Sequence, residues 1–230
     1  MFFILNSCTN SSNSPNETTE ITSLSTQQTK PSSELKSKTT HLTSSKILAN
    51  LTLLVIGDSL SAAYGMAPSK GWVHLLAQRL QDKGYQYRVV NASISGDTTS
   101  GGRNRFIKIL QQSQPQIVIL ELGANDGLRA LSLPKMRENL ALMIKQSQQA
   151  SAKVLLLGMR IPPNYGKAYS DHFQQIYLDL ANKYKISLVP FFLTKVVKNK
   201  ALIQEDGLHP TEAAQEQLLE NVWAKLKEML

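Results

Sequence analysis

From residue 51 onward the apolar residues alternate between two patterns. Short, near-continuous apolar runs occupy Leu51–Ile56, Tyr87–Ala92, Ile117–Leu122, Val154–Met159 and Ser187–Pro190, as expected of strands buried on both faces. Between them apolar residues recur three and four apart. Trp72–Asp82 carries Trp72, Leu75, Leu76 and Leu80; Gly101–Gln112 carries Phe106, Ile109 and Leu110; Ala168–Tyr184 carries Phe173, Ile176, Tyr177 and Leu180. Pro134–Ala150 reads as a further helix with Pro134 suited to its first turn, and Pro210–Leu230 as a closing helix with Leu218, Leu219, Val222, Trp223 and Leu226 on one face. Strand and helix in strict alternation predict a parallel sheet covered on both sides. Right-handed crossovers make that a three-layer α/β/α sandwich, one domain over 50–230.

The first 49 residues are a different material. From Thr9 to about Lys46, serine and threonine make up about half of the residues, no aromatic residue occurs, and the aliphatics, such as Ile21, Leu24 and Leu35, are isolated. Such a stretch buries too little apolar surface to offset its ordering entropy, and a disordered linker is expected there. Ahead of it, Met1-Phe2-Phe3-Ile4-Leu5 is apolar and Leu5-Asn6-Ser7-Cys8 resembles the lipobox of a bacterial lipoprotein, in which cleavage before the cysteine frees a thiol for lipid attachment. The departures are the missing basic residues at the start, an apolar run shorter than the usual ~7–15 residues, and Asn6. One expectation is therefore export to the periplasm or medium, with a lipid anchor at Cys8 and the polar segment as its tether. The other is a cytoplasmic protein with an ordinary polar N-terminus. No run approaches the ~18 apolar residues of a membrane-spanning helix, so any membrane contact is expected through a lipidated Cys8 alone.

Bulk composition narrows the function classes. Hydrophobic residues make up 42% and charged residues 18%, ordinary for a domain with a substantial core. The formal net charge is +8, but lysine and arginine are spread along the chain without aromatic interleaving, so nucleic acid is not an expected partner. One cysteine excludes an intramolecular disulfide framework and a cysteine-built zinc site. A small domain with short crossovers is expected to be a monomer.

Chemistry concentrates where the strands end. In a doubly wound sheet, ligands sit at the carboxyl ends of the strands near the reversal of strand order. The first apolar run stops at Gly57-Asp58-Ser59, which sets a serine hydroxyl on a tight turn. A serine needs a base to take its proton, imidazole suits that task, and a carboxylate on the other ring nitrogen fixes the tautomer. Asp206 and His209, three residues apart in the loop before the last helix, are placed to supply both. Taken singly, Gly-Asp-Ser is usually a turn and Asp-x-x-His ahead of a helix a cap. His41 falls in the polar segment, and His74 and His172 in helical stretches, which leaves His209 the best-placed base. A developing oxyanion needs donors. The candidates are the backbone N–H of Ser59, the backbone N–H of Gly96 after the second strand, and the side-chain amide of Asn125 after the third.

Taken in order, Gly57-Asp58-Ser59-Leu60, Ser95-Gly96-Asp97, Gly123-x-Asn125-Asp126 and Asp206-x-x-His209-Pro210 resemble the four sequence blocks of the SGNH (GDSL) hydrolases. The resemblance covers about Leu51 to Leu230. It is closest to the bacterial multifunctional esterases with thioesterase, lysophospholipase and arylesterase activity, supported by Asn91–Thr98, Glu121–Arg129 and Pro163-Asn164-Tyr165-Gly166. It implies a flavodoxin-like sheet of five parallel strands and no metal or organic cofactor. It implies Ser59 as nucleophile, His209 as general base and acid, Asp206 as its orienting carboxylate, and Ser59, Gly96 and Asn125 as the oxyanion hole. It also implies a loop, Gly127 to about Ser132, that moves over acyl chains. Ala124 stands where relatives often carry glycine.

The expected function is hydrolysis of acyl esters or thioesters, lysophospholipids among them, through an acyl-enzyme. An exported carbohydrate O-deacetylase would use the same residues; apolar Leu128, Leu131 and Leu208 near the site favour an acyl chain instead. A non-catalytic surface-tethered binding module would be expected to lack a triad residue, and none is missing.

Overall fold

The computed structural model describes residues 51–230. The expected anchor and linker over 1–49, Cys8 included, lie outside the described residues. Five strands, β1 (Leu51–Gly57), β2 (Tyr87–Asn91), β3 (Ile117–Glu121), β4 (Lys153–Leu157) and β5 (Ser187–Val189), form one sheet in the order β2-β1-β3-β4-β5, every pair parallel. This is the flavodoxin-like order, with its switch point between β1 and β3. The helices are α1 (Trp72–Asp82), α2 (Thr99–Ser113), the short α3 (Ala124–Leu128), α4 (Leu133–Gln149), α5 (Lys167–Tyr184) and α6 (Gln215–Leu226). α1 packs on α6, and α4 packs on both α2 and α5. Right-handed crossovers put these two sets on opposite faces of the sheet.

The central strands are buried nearly end to end: Leu53–Ile56, Ile117–Leu120 and Val154–Leu157. Each such Leu, Ile or Val is worth roughly 1.5–3 kcal/mol on burial. The outer strand β2 is only partly buried, in line with its mixed Tyr-Arg-Val-Val-Asn sequence. Trp72 and Phe192 meet edge-on at 5.5 Å and seat α1 against the segment that follows β5.

Strand and helix ends fall within two residues of the sequence expectation, except in the closing helix, which runs Gln215–Leu226 instead of Pro210–Leu230. The closing helix does not start at Pro210. Pro210 pairs antiparallel with Ile203, the Gln204 N–H donates to the His209 carbonyl at 2.7 Å, and the Thr211 N–H donates to the Leu202 carbonyl at 2.9 Å. A proline suited to a first helical turn is instead held extended by pairing with residues just upstream. A 3-10 turn at Glu212–Ala214 follows, and α6 begins at Gln215. The buried Gln215 side chain accepts the Trp72 N–H at 3.0 Å and donates to the Thr211 carbonyl at 3.1 Å, which fixes the entry of α6 against the start of α1. This pairing makes the loop over 204–209 tight, and that loop carries Asp206 and His209.

Candidate active site

Ser59 sits on the turn after β1, closed by the Ala62 N–H to the Asp58 carbonyl at 3.0 Å and the Tyr64 N–H to the Ser59 carbonyl at 3.1 Å. Ser59 Oγ lies 2.8 Å from His209 Nε2, and His209 Nδ1 lies 2.5 Å from Asp206 Oδ2. With its proton on Nδ1, the imidazole donates to the carboxylate and accepts from the serine hydroxyl. The second Asp206 oxygen accepts the Leu208 and His209 backbone N–H groups at 2.9 and 3.0 Å. Burial pushes the Asp206 carboxyl up. The hydrogen bonds from His209 and Leu208, together with the facing imidazole, outweigh that and hold it at about 2. The Tyr64 ring packs on the imidazole at 4.3 Å, and Gln204 Nε2 donates to both the Tyr64 and the Pro210 carbonyls at 2.9 Å. The two contacts to Tyr64 were not legible in the sequence, because each joins segments far apart in the chain.

The three expected oxyanion donors meet at the same strand ends. The Ser59 and Gly96 backbone N–H groups donate to no acceptor among the described residues. Gly96 takes φ +78, a left-handed conformation that favours glycine. The Asn125 side chain, on α3, donates to Asp58 Oδ2 at 3.1 Å, and its carbonyl oxygen accepts from Arg129 Nη2 at 3.2 Å. Arg129 Nη2 also donates to the Gly96 carbonyl at 3.0 Å, so one guanidinium ties two of the three donors together. The left-handed position in Gly123-Ala124-Asn125 is Gly123, at φ +118; a Cβ there would stand 2.3 Å from the Tyr177 hydroxyl. Ala124 is the first residue of α3, which explains why alanine is accepted in place of glycine.

Asp126 holds the second and third blocks together. Its buried carboxylate accepts from the Thr99 N–H at 2.8 Å and the Thr99 hydroxyl at 2.6 Å, and that hydroxyl in turn accepts from Asn139 at 3.1 Å. Asp97 pairs with Arg105 at 2.7 Å, and Arg105 also donates to the Ala92 carbonyl, which braces the loop carrying Gly96. Asp58 braces the turn that carries Ser59. Its Oδ1 accepts the Leu60 N–H at 3.0 Å.

Ser59, His209 and Asn125 open onto a cavity of about 490 Å³ walled by Leu60, Leu128, Ile161, Leu193, Val197 and Leu208. Size and apolar walls suit a small-molecule site. Leu128 and Leu208 are in the wall. Leu131 is not; it is exposed, so only two of the three expected leucines contribute. The expected mobile loop is partly helical: Gly127 and Leu128 end α3. It is tethered by the Tyr165 hydroxyl to the Leu128 carbonyl at 2.8 Å and the Tyr169 hydroxyl to the Leu131 carbonyl at 3.3 Å.

Residues 55–217 match the model of a GDSL-like lipase/acylhydrolase family. The esterase TesA of Pseudomonas aeruginosa is 52% identical over 179 residues, 78% of this chain and 89% of that protein. The thioesterase 1/protease 1/lysophospholipase L1 of Escherichia coli K12 is 43% identical over 164 residues, 71% of this chain and 77% of that protein. The crystal structure of the psychrotrophic esterase EstA from a Pseudoalteromonas species, inhibited by monoethylphosphonate, superimposes with a TM-score of 0.74. It is 38% identical and covers 77% of this chain and 97% of that one.

Proposed function

The chain belongs to the GDSL-like lipase/acylhydrolase family and is an esterase, and from that premise we propose that it works through a Ser59-His209-Asp206 triad on apolar acyl esters and thioesters, lysophospholipids included. The observation that carries this reading is the continuous line from Asp206 through His209 to the Ser59 hydroxyl, ending at the wall of an apolar cavity.

Ser59 Oγ attacks the carbonyl carbon while His209 Nε2 takes its proton. Asp206 holds the imidazole in the required tautomer and stabilises the imidazolium. The negative oxygen of the tetrahedral intermediate is received by the Ser59 and Gly96 N–H groups and the second amide hydrogen of Asn125. The C–O or C–S bond to the leaving group then breaks, and the proton on Nε2 goes to that group. Water, deprotonated by the same nitrogen, attacks the acyl-serine; release of the acid returns the proton to Ser59.

The cavity wall favours an acyl chain over a sugar. Burial of one methylene is worth about 0.8 kcal/mol, or about fourfold in affinity. An octanoyl ester is therefore expected to exceed the acetyl ester by about tenfold or more in kcat/KM across a p-nitrophenyl ester series. A sharp acetyl preference would replace the acyl-chain reading with polysaccharide deacetylation.

The N-terminal sequence supports an exported enzyme, periplasmic or secreted, tethered to a membrane through lipid on Cys8. The apolar start and the Leu5–Cys8 motif support the anchor, and the serine- and threonine-rich stretch after it suits a tether. Intact-mass analysis from the native host is expected to give a chain that starts at a lipidated Cys8; an unmodified Met1 start overturns this.

A further inference from the structure

Strand β3 reads Ile-Val-Ile-Leu-Glu, and its one polar residue is completely buried. Glu121 pairs in register with Gly57, the last residue of β1, so its side chain lies beneath the turn that carries Ser59. Glu121 Oε2 accepts the Asp58 N–H at 3.2 Å and the Ser61 hydroxyl at 2.8 Å. Gly57 leaves room for it, since a Cβ there would stand 2.5 Å from Oε2. The other oxygen, Oε1, is buried and accepts from no described residue, and no cation among the described residues acts on the group. A leucine would fill the strand without desolvating a carboxyl, so this buried acid demands a reason.

Its neighbour supplies one. Asp58 is also fully buried, and its carboxyl lies beside that of Glu121. Two adjacent buried carboxyls cannot both ionise without severe repulsion. Burial first, and then the Asp58 charge, push Glu121 well above the usual carboxylate range. Burial also raises Asp58, to about 6, but the Leu60 N–H and the Asn125 amide favour its ionised form. The proton therefore stays on Glu121 and the charge on Asp58. That charge faces Asn125: Asp58 Oδ2 holds one hydrogen of the amide at 3.1 Å and leaves the other for the cavity. Glu121 thus touches the serine turn directly, at Asp58 N–H and Ser61, and reaches the oxyanion amide through Asp58.

We propose that Glu121, a fully buried carboxyl bonded to the Asp58 N–H and the Ser61 hydroxyl, is a positioning residue that registers the nucleophile turn against the oxyanion amide of Asn125. This rests on the Ser59 reading above, which fails separately if a fluorophosphonate probe leaves Ser59 of the wild-type enzyme unlabelled.

Infrared difference spectroscopy of wild type against Glu121→Gln at pH 7 is expected to show the carbonyl stretch of one protonated carboxylic acid, lost in the variant. The amide of Glu121→Gln still accepts both hydrogen bonds, so kcat should stay within about threefold. Glu121→Leu accepts neither, and kcat should fall about 10- to 100-fold at near-constant KM, somewhat less than loss of a whole oxyanion donor. Wild-type kcat in Glu121→Leu, absence of the infrared band, or a Glu121→Gln variant as impaired as Glu121→Leu each overturns the proposal. Should Glu121→Leu not fold, Ser61→Ala removes the shorter of the same two contacts. A several-fold lower kcat at unchanged KM then supports the proposal, and wild-type kcat overturns it.

Discussion

Ser59→Ala is expected to lower kcat for p-nitrophenyl esters by about 10⁵-fold or more, the scale on which removal of a triad serine acts in serine hydrolases. The residue is half-buried at a turn and fills no core space, so the variant should fold with an unchanged melting temperature. What disappears is the only hydroxyl at hydrogen-bond distance from His209 Nε2 among the described residues. A methyl group cannot form the acyl-enzyme, so the imidazole can only activate water directly. The oxyanion donors and the cavity remain, and such remnants sustain roughly 10³–10⁴-fold acceleration over uncatalysed hydrolysis. Low residual turnover is therefore part of the expectation. Burst kinetics and fluorophosphonate labelling should vanish together. Turnover within about a hundredfold of wild type, with contamination excluded, would remove Ser59 from the nucleophile's place.

The fold was legible because its strands are buried on both faces. Leu53–Ile56, Ile117–Leu120 and Val154–Leu157 write that burial as unbroken apolar runs, and helices of three or more turns write theirs as a three- and four-residue spacing. The two departures have physical causes. α3 is only five residues long, too short to show a period, and starts after a glycine at φ +118 whose conformation no pattern announces. Pro210 carries a sound local signal for a helix start, yet antiparallel pairing with Ile203, seven residues upstream, overrides it.

The candidate site was legible for a different reason. Chemistry restricts which residue types can serve, and each block is short and contiguous, so Ser59, Gly96, Asn125, Asp206 and His209 could be picked out before their convergence was visible. The groups that hold them were not. Tyr64, Gln204 and Arg129 act through contacts that only the folded chain makes. Glu121 closes an apolar strand and looks like an ordinary strand exit. Its buried oxygen, without a described donor, becomes apparent only in three dimensions.

Asp206→Asn is expected to lower kcat by about 10⁴-fold while leaving KM and the fold nearly unchanged. The substituted side chain keeps an oxygen for the Leu208 and His209 N–H groups, so the loop over 204–209 should hold its shape. It then presents NH₂ where wild type presents a carboxylate oxygen to Nδ1. An amide hydrogen favours a bare Nδ1, which moves the imidazole proton to Nε2, facing Ser59. The base then meets the nucleophile as a donor and cannot take its proton. Stability provides an independent check. Asp206 is lowered from 3.8 to about 2 on folding, so its ionised form favours the native state above about pH 3.8, and that contribution is lost as pH falls through about 2. The side chain is more than a third exposed, so solvent screening keeps the effect small. Melting temperatures of wild type and Asp206→Asn should differ slightly at neutral pH and converge towards pH 2. A gap that persists there would mean that Asp206 stabilises the loop by something other than its charge. An Asp206→Asn enzyme within about tenfold of wild-type kcat would mean that His209 is oriented by another group, and the Tyr64 ring and the Gln204-held turn are what remains to do it.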